Sequence, residues 1–193
     1  VLPFPYAALT QVQGMRGFGE FLEDLAVRPV LAEAILEHNL MVNIGILEFL
    51  LDEVGDYVDV VTFGDDLGST NSLMMSLEMY RRQLKPFHRR LVEAIKRKTD
   101  AKIVMHNDGA IFPMIPDIID VGFDCINPVQ VSARGMETDR LKAEFGADLS
   151  FWGAIDTNFA LPRGTPEDVR SEVRKRIKDL APGGGYVLAS VHN

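Results

Sequence analysis

The sequence alternates short apolar runs with amphipathic helical segments, and this alternation is the feature that most constrains the fold. The run 57–63 is rich in β-branched residues and is apolar on both faces, which is typical of a strand buried on both sides of a parallel sheet. We predict five such strands, at 57–63, 102–105, 124–127, 149–153 and 185–190. Strands that alternate with helices form parallel sheets with right-handed crossovers.

The intervening segments carry the signals of helix starts and ends. Pro29 suits the first turn of a long helix with apolar residues at a period near 3.6, and Ser76 is a favoured N-cap. Thr165 is followed by a proline and two acidic residues, a favourable helix opening. We predict helices at Pro29–Val54, 77–98, Ile115–Val121, Thr138–Phe145 and one that opens at Thr165.

Polar residues follow every predicted strand, and this separates the two parallel architectures. An open doubly wound sheet binds its ligand at one switch point, whereas in a (β/α)8 TIM barrel all the loops after the strands meet at one mouth. The sequence therefore predicts an α/β fold, the C-terminal part of an incomplete (β/α)8 barrel, as a single domain over 1–193. Because a whole barrel needs about 250 residues, we expect about three strands before Val1 and a final helix after Asn193.

The charge and the cysteine content exclude several classes of partner. With 20 basic and 28 acidic residues the chain carries a formal net charge of -8, which disfavours nucleic acid and anionic membranes. Its one cysteine, Cys125, excludes an internal disulfide and fits the cytoplasm, and no uninterrupted apolar run approaches the roughly 20 residues of a membrane span. We expect a small-molecule substrate.

Two strand ends carry a candidate metal site. His106 and Asp108 follow one predicted strand, and His192 follows the last one, so in a closed barrel these side chains face one cavity. Two imidazoles and a carboxylate suffice to hold zinc or another divalent metal with one position left open. A metal-free site for hydrogen bonding and proton transfer is the alternative.

Further polar residues at strand ends are candidates for catalysis and substrate binding. Adjacent carboxylates raise one another's pKa, so Asp65 and Asp66 are candidate catalytic residues together with His192, one facing the substrate and the other holding its loop. Candidate substrate-binding residues are Asn127, Gln130, Asp156 and Thr157, although Asn127 and the 156–158 segment equally suit turns or caps. We interpret His38 and His88, both on helices, as surface or boundary residues.

The chain resembles the uroporphyrinogen decarboxylase superfamily, specifically the branch that includes corrinoid-linked methyltransferases such as methylcobamide:coenzyme M methyltransferase. The matching segments are 55–61, 65–68, 115–117, 127–130, 153–157 and 183–186, the last of which precedes His192. The resemblance implies a (β/α)8 barrel and an enzyme. In the methyltransferase branch a His-x-Cys pair and a later Cys bind zinc. His106 matches the first ligand, Asp108 stands where the first Cys is expected, and His192 falls near the last.

On this resemblance we expect transfer of a methyl group between a small donor and a corrinoid on a partner protein, at a polar or metal site. A homo-oligomer is also compatible with the sequence. The alternative is decarboxylation of uroporphyrinogen in porphyrin synthesis, a lyase reaction without a cofactor, in which Asp65 or Asp66 and His192 orient the tetrapyrrole. A non-catalytic binding fragment is the third hypothesis. An aspartate in place of a thiolate favours a metal harder than zinc or a metal-free site.

Overall fold

The computed structural model describes residues 1–4 and 8–191, and its centre is one parallel sheet of six strands. The strands follow one another across the sheet in chain order, each paired in parallel with the next. They are β1 (Leu2–Pro3), β2 (Val60–Gly64), β3 (Lys102–His106), β4 (Cys125–Asn127), β5 (Ser150–Ile155) and β6 (Tyr186–Ser190). This sequential parallel order is that of the strands of a (β/α)8 barrel.

Helices form the crossovers between the strands. Between β1 and β2 lie α1 (Leu9–Arg16), α2 (Phe18–Val27) and α3 (Pro29–Val54). The later crossovers contain α4 (Leu77–Gln83), α5 (Lys85–Lys96), α6 (Ile115–Val121), α7 (Thr138–Phe145), α8 (Ala160–Arg163) and α9 (Pro166–Leu180). Thr165 and Ser76 are the N-caps of α9 and α4, as the sequence predicts. Ser76 accepts the Met79 N–H, and Thr165 forms a capping box with Asp168.

The structure differs from the sequence prediction in β1 and in the helix after Ser76, and it adds α1, α2 and α8, for which no helix was predicted. A sixth strand, β1, pairs with residues 61 and 62, so the predicted count of about five strands was one too low. The helix predicted at 77–98 is divided at Leu84 because Pro86 has no backbone N–H to donate and its ring crowds the preceding turn. Its second half, α5, therefore starts a new helix with Pro86 in the first turn.

The longest helix, α3, presents apolar residues on two faces. Leu36, Leu40 and Leu47 are buried, whereas Met41 and Phe49 are more than half exposed. By length and composition alone the segment Pro29–Tyr57 could cross a membrane, because its most apolar stretch has a mean hydropathy of 1.4. One third of this stretch is buried within the protein, as expected for a helix that packs on one side against the rest of the fold.

The register of the sheet brings several strand ends to one level. Gly64 at the end of β2 stands opposite His106 at the end of β3, and His106 stands opposite Asn127 at the end of β4. Because parallel strands point the same way, the loops that follow them leave the sheet side by side. The polar residues that the sequence places after these strands are thus neighbours in space.

Candidate functional site

A cavity of about 510 Å³ opens on one face of the sheet near the carboxyl ends of its strands. Thr62 and Gly64 of β2 and Val104 and His106 of β3 line it, two positions apart in each strand, because successive residues of a strand face opposite sides of the sheet. The residues from β2 to β5 that line the cavity are Thr62, Phe63, Gly64, Val104, His106, Asn127 and Trp152. His106, Asn127 and Ser190 are polar lining residues at the carboxyl ends of their strands, so the candidate chemistry lies at this end.

Asp66, His106 and Asp108 form a compact cluster at this end of the sheet. One ligand atom from each side chain lies within 4.8 Å of the other two, and all three residues are half-buried. The Asp108 N–H donates to Asp66 Oδ1 at 3.0 Å, and His106 Nε2 lies 3.9 Å from Asp108 Oδ2. The cluster thus joins the loop after β2 to the loop after β3.

The amide of Asn127 fixes the orientation and the tautomer of His106. Asn127 Nδ2 donates to the Trp152 carbonyl at 3.3 Å, which turns its Oδ1 towards His106 Nδ1 at 2.7 Å. Since an amide oxygen can only accept, the ring proton lies on Nδ1, and in the neutral ring Nε2 carries the lone pair. This is the form in which imidazole binds a metal, with the other nitrogen held by a hydrogen bond.

Two glycines allow the loops that carry the carboxylates to approach closely. A Cβ on Gly68 would lie 2.7 Å from the Asp108 carbonyl oxygen, and a Cβ on Gly109 would lie 2.5 Å from the Gly68 carbonyl carbon. Gly109 also has a φ of 92°, in the region that favours glycine. The Gly109 N–H donates to Gln130 Oε1 at 2.9 Å, so a third loop supports the same contact.

The donor set fits a divalent metal of borderline or hard character. One imidazole nitrogen and two carboxylates suit zinc as well as harder ions, and they lack the thiolates that favour soft metals. Ligand atoms of a tetrahedral zinc site lie about 3.3 Å apart, given bonds of about 2.0–2.1 Å. The 3.9 Å between His106 Nε2 and Asp108 Oδ2 exceeds this spacing only modestly. Asp66, His106 and Asp108 are therefore the described residues that could hold a metal ion.

The two adjacent carboxylates face different surroundings. Asp65 is fully buried, and its oxygens accept the backbone N–H groups of Ala8, Leu9 and Thr10 at 2.8–3.0 Å. It therefore holds the start of α1, while Asp66 belongs to the cluster with His106. Asp65 thus has a structural role, as the sequence suggests for one of the two carboxylates, whereas a substrate contact of Asp66 stays a prediction. The catalytic roles of both stay predictions.

His88 was wrongly predicted to lie at the surface or a boundary. It is fully buried, with Nε2 2.7 Å from Asp65 Oδ2 and Nδ1 3.2 Å from the Tyr80 hydroxyl. The helical pattern of α5 contains the signal that identifies it, because position 88 lies on the stripe shared by buried residues 84, 91, 92 and 95. His38, by contrast, is exposed as expected.

The predicted substrate-binding residues engage in contacts within the protein. Asp156 Oδ1 accepts the Asn158 N–H, and its Oδ2 accepts those of Phe159 and Ala160, so Asp156 caps the turn into α8. Gln130 and Asn127 support the loops and the imidazole as described above, and Thr157 is half-buried beside the Asp156 turn. The structure thus shows the capping alternative for Asp156, while direct substrate contacts by these four residues stay predictions.

His192, predicted both as a metal ligand and as a catalytic residue, lies outside the described residues. The structure instead adds Asp66 to the candidate ligands His106 and Asp108. The sequence signal for Asp66 was present, since it is the second residue after β2, but spacing along the chain could not show which strand ends are neighbours.

Comparison with known proteins gives three findings. The family model described as uroporphyrinogen decarboxylase (URO-D) matches residues 3–193. A methylated-thiol–coenzyme M methyltransferase of Methanosarcina mazei is 30% identical over 109 residues, which are 56% of this chain and 27% of that protein. A solved structure described as a methyltransferase from Methanosarcina mazei superposes with a TM-score of 0.73 and 17% identity, over 98% of this chain and 52% of that one.

The chain thus spans about a quarter of the curated relative and about half of the solved structure. At 17% identity the likeness to the solved structure concerns the fold alone, and it agrees with the α/β architecture of sequential parallel strands predicted for a barrel. The family model, in contrast, matches nearly every residue of the chain. This chain therefore belongs to the uroporphyrinogen decarboxylase (URO-D) family.

Proposed function

We propose that this chain carries the metal-binding half of the active site of a methyltransferase, with Asp66, His106 and Asp108 as ligands of a divalent metal. The observation that carries the proposal is the oriented His106 ring, whose metal-binding tautomer is set by Asn127 and which stands beside two carboxylates. His192, which follows β6, is proposed as a further ligand or catalytic residue.

The reaction class follows from the family and from the relative that shares 30% identity. That relative is named a methyltransferase acting between a methylated thiol and coenzyme M. For this chain we propose transfer of a methyl group between a small donor and a corrinoid held by a partner protein, in the cytoplasm. A bound divalent metal would supply Lewis-acid activation of the thiol or polarisation of the methyl donor.

The side chains of this chain have separate tasks under the proposal. Asn127 keeps the His106 lone pair on Nε2, and the Asp108 N–H keeps Asp66 Oδ1 at the cluster. The apolar walls of the cavity, including Val104 and Trp152, limit the access of water to the donor. Gln130 and Thr157 are proposed to contact the substrate at the rim. Two carboxylates near one imidazole favour a harder metal than a thiolate site would bind.

Metal content tests the proposal first. Protein purified without chelators is analysed for metals, and the apoprotein is titrated with zinc, cobalt(II) and manganese(II) while folding is followed by circular dichroism. We expect about one ion per chain, and about a 100-fold or greater loss of affinity in His106→Gln and Asp108→Asn because each loses a ligand. His38→Gln is the matched control, since it removes an exposed histidine on α3.

Activity tests the reaction class. Cob(I)alamin is offered as acceptor with methylated thiols as donors, and the formation of methylcobalamin is followed by absorbance. Uroporphyrinogen is offered in parallel to the same protein. Absence of bound metal at saturating concentrations, or decarboxylation of uroporphyrinogen without methyl transfer, would overturn the proposal in favour of the lyase hypothesis.

A further inference from the structure

Three buried side chains form a line of hydrogen bonds that leads from helices α4 and α5 to the loop that carries Asp66. Tyr80 on α4, His88 on α5 and Asp65 after β2 are all 0% exposed. The Tyr80 hydroxyl lies 3.2 Å from His88 Nδ1, and His88 Nε2 lies 2.7 Å from Asp65 Oδ2. None of the three lines the cavity or belongs to the metal cluster.

The hydrogen bonds define the proton positions along this line. Asp65 Oδ2 already accepts the N–H groups of Ala8 and Leu9, so His88 Nε2 donates the proton shared with this oxygen. Burial, reinforced by the charges of Asp117 and Asp65, raises the pKa of Tyr80, so its hydroxyl is protonated and able to donate to His88 Nδ1. The line is therefore directional, from Tyr80 through His88 to Asp65.

Asp65 joins this line to the N-terminus of α1. Its two oxygens accept the N–H groups of Ala8, Leu9 and Thr10, which have no acceptor within the helix itself. A carboxylate at this end also complements the helix dipole. With His88 added, the Asp65 oxygens receive four hydrogen bonds, so the side chain has little freedom to move.

The same contacts determine where Asp66 lies. The Asp66 N–H donates to the Thr10 hydroxyl at 3.2 Å, and the Asp65 N–H donates to the His106 carbonyl at 3.0 Å. Asp66 is thus held between the start of α1 and the end of β3. A displacement of Asp65 would move the attached Asp66 peptide relative to His106, the second member of the cluster.

We propose that Tyr80, His88 and Asp65 are positioning residues that hold Asp66 in the metal cluster, so that metal affinity depends on side chains that touch no ligand. The inference rests on the proposed function, because it assumes that the cluster binds a metal. Removal of a residue that supports a ligand typically lowers metal affinity by 10–100-fold. Acting one step further away, His88→Leu is expected to lower it about tenfold.

The experiment compares variants of His88 at a temperature where all are folded. His88→Leu removes the donor to Asp65, whereas His88→Gln offers an amide N–H in its place and should recover part of the affinity. Tyr80→Phe removes only the hydroxyl and serves if His88→Leu does not fold. Asp179→Asn is the matched control, because it removes a mostly buried carboxylate that pairs with Lys175 on α9 and Thr138 on α7 and contacts none of the three residues.

Two readouts separate positioning from a merely structural role. The first is cobalt(II) affinity with its absorption spectrum, in which His88→Leu should shift the bands and Asp179→Asn should not. The second, independent of metal, is hydrogen exchange of the Asp108 amide, whose N–H is donated to Asp66. Faster exchange is expected in His88→Leu, with slower exchange restored in His88→Gln.

The outcomes distinguish this inference from the proposed function. If the wild type binds cobalt(II) and His88→Leu matches it in affinity, spectrum and Asp108 exchange, the positioning role is overturned and the metal site stands. If the wild type binds no metal but Asp108 exchange follows the His88 variants, the proposed function fails while the positioning of Asp66 is supported. If the wild type binds no metal and Asp108 exchange is unchanged in the His88 variants, both are refuted.

Discussion

Substitution of Gly109 by alanine tests whether close contact between two loops builds the candidate site. The new Cβ would lie 2.5–2.7 Å from three backbone atoms, the carbonyl carbon and oxygen of Gly68 and the carbonyl oxygen of Ser69. Backbone atoms cannot rotate aside as a flexible side chain can, so the loops after β2 and β3 must separate. Gly183 provides the matched control, because its φ of 78° is also positive but nothing lies within 4 Å of its Cβ.

The magnitudes follow from these two environments. A left-handed conformation costs an L-residue about 1–2 kcal/mol, and the loss of glycine's freedom in the unfolded chain returns about 0.4–1 kcal/mol. Gly183→Ala should therefore lower the free energy of unfolding by about 0.5–1 kcal/mol. Gly109→Ala meets the same backbone strain, and the close contacts of its Cβ cost about 1–3 kcal/mol more, for a total of about 1.5–4 kcal/mol.

Urea denaturation of the wild type and the two variants, followed by circular dichroism, measures these differences provided that the m-values agree. Because the Asp108 N–H donates to Asp66 from the residue next to Gly109, separation of the loops should also weaken cobalt(II) binding in Gly109→Ala. Gly183→Ala should bind cobalt(II) as the wild type does. Equal destabilisation of the two variants would refute the argument that the contact between the two loops leaves no room for a Cβ at residue 109.

Two further outcomes follow from ionisable groups away from the cluster. Burial would raise the pKa of Asp117, but hydrogen bonds from Arg81 and Lys85 outweigh it and leave the pKa below its usual range. Its stabilising contribution is therefore full above about pH 4 and is lost as the pH falls through the lower pKa of Asp117 in the folded protein. In Asp117→Asn, the urea concentration at the unfolding midpoint should therefore fall less steeply as the pH is lowered below about 4. A midpoint that falls as steeply as in the wild type would contradict this. Burial and, to a lesser extent, the charge of Asp124 raise the pKa of Cys125 to about 12. A thiol reagent at pH 8 should therefore modify Cys125 only after the protein unfolds. Rapid modification of the folded protein would contradict this, because it would show that the thiol is accessible.

Much of the fold was predictable because its signals are local. The helix Pro29–Val54 has the bounds predicted from its apolar period, and the capping box at Thr165 depends on residues only three positions apart. The start of α4 follows from the N-cap residue Ser76 in the same way. Such signals do not require knowledge of what packs against the element.

The differences arose where distant residues decide the structure. β1 contains only Leu2–Pro3, and it is a strand because it pairs with residues 61 and 62 of β2. His88 has polar neighbours along the chain, yet α5 turns it inward to Asp65, a partner 23 residues away. Neither the pairing nor the partner can be derived from a local window of sequence.

The candidate site likewise combines features that the local sequence determines with features that tertiary contacts determine. The sequence by itself determined which chemistry is present, because His106, Asp108, Asp65 and Asp66 all lie at the end of a strand or within two residues after it, in strands that alternate with helices. Only the tertiary structure decided how these groups are used. The register that sets Gly64 opposite His106 brings Asp66 into the cluster, while the N-terminus of α1 and the buried His88 occupy Asp65. The reason is physical: hydrogen bonds and metal ligation require atoms within a few ångströms, and distances between strand ends are set by sheet register and helix packing rather than by spacing along the chain.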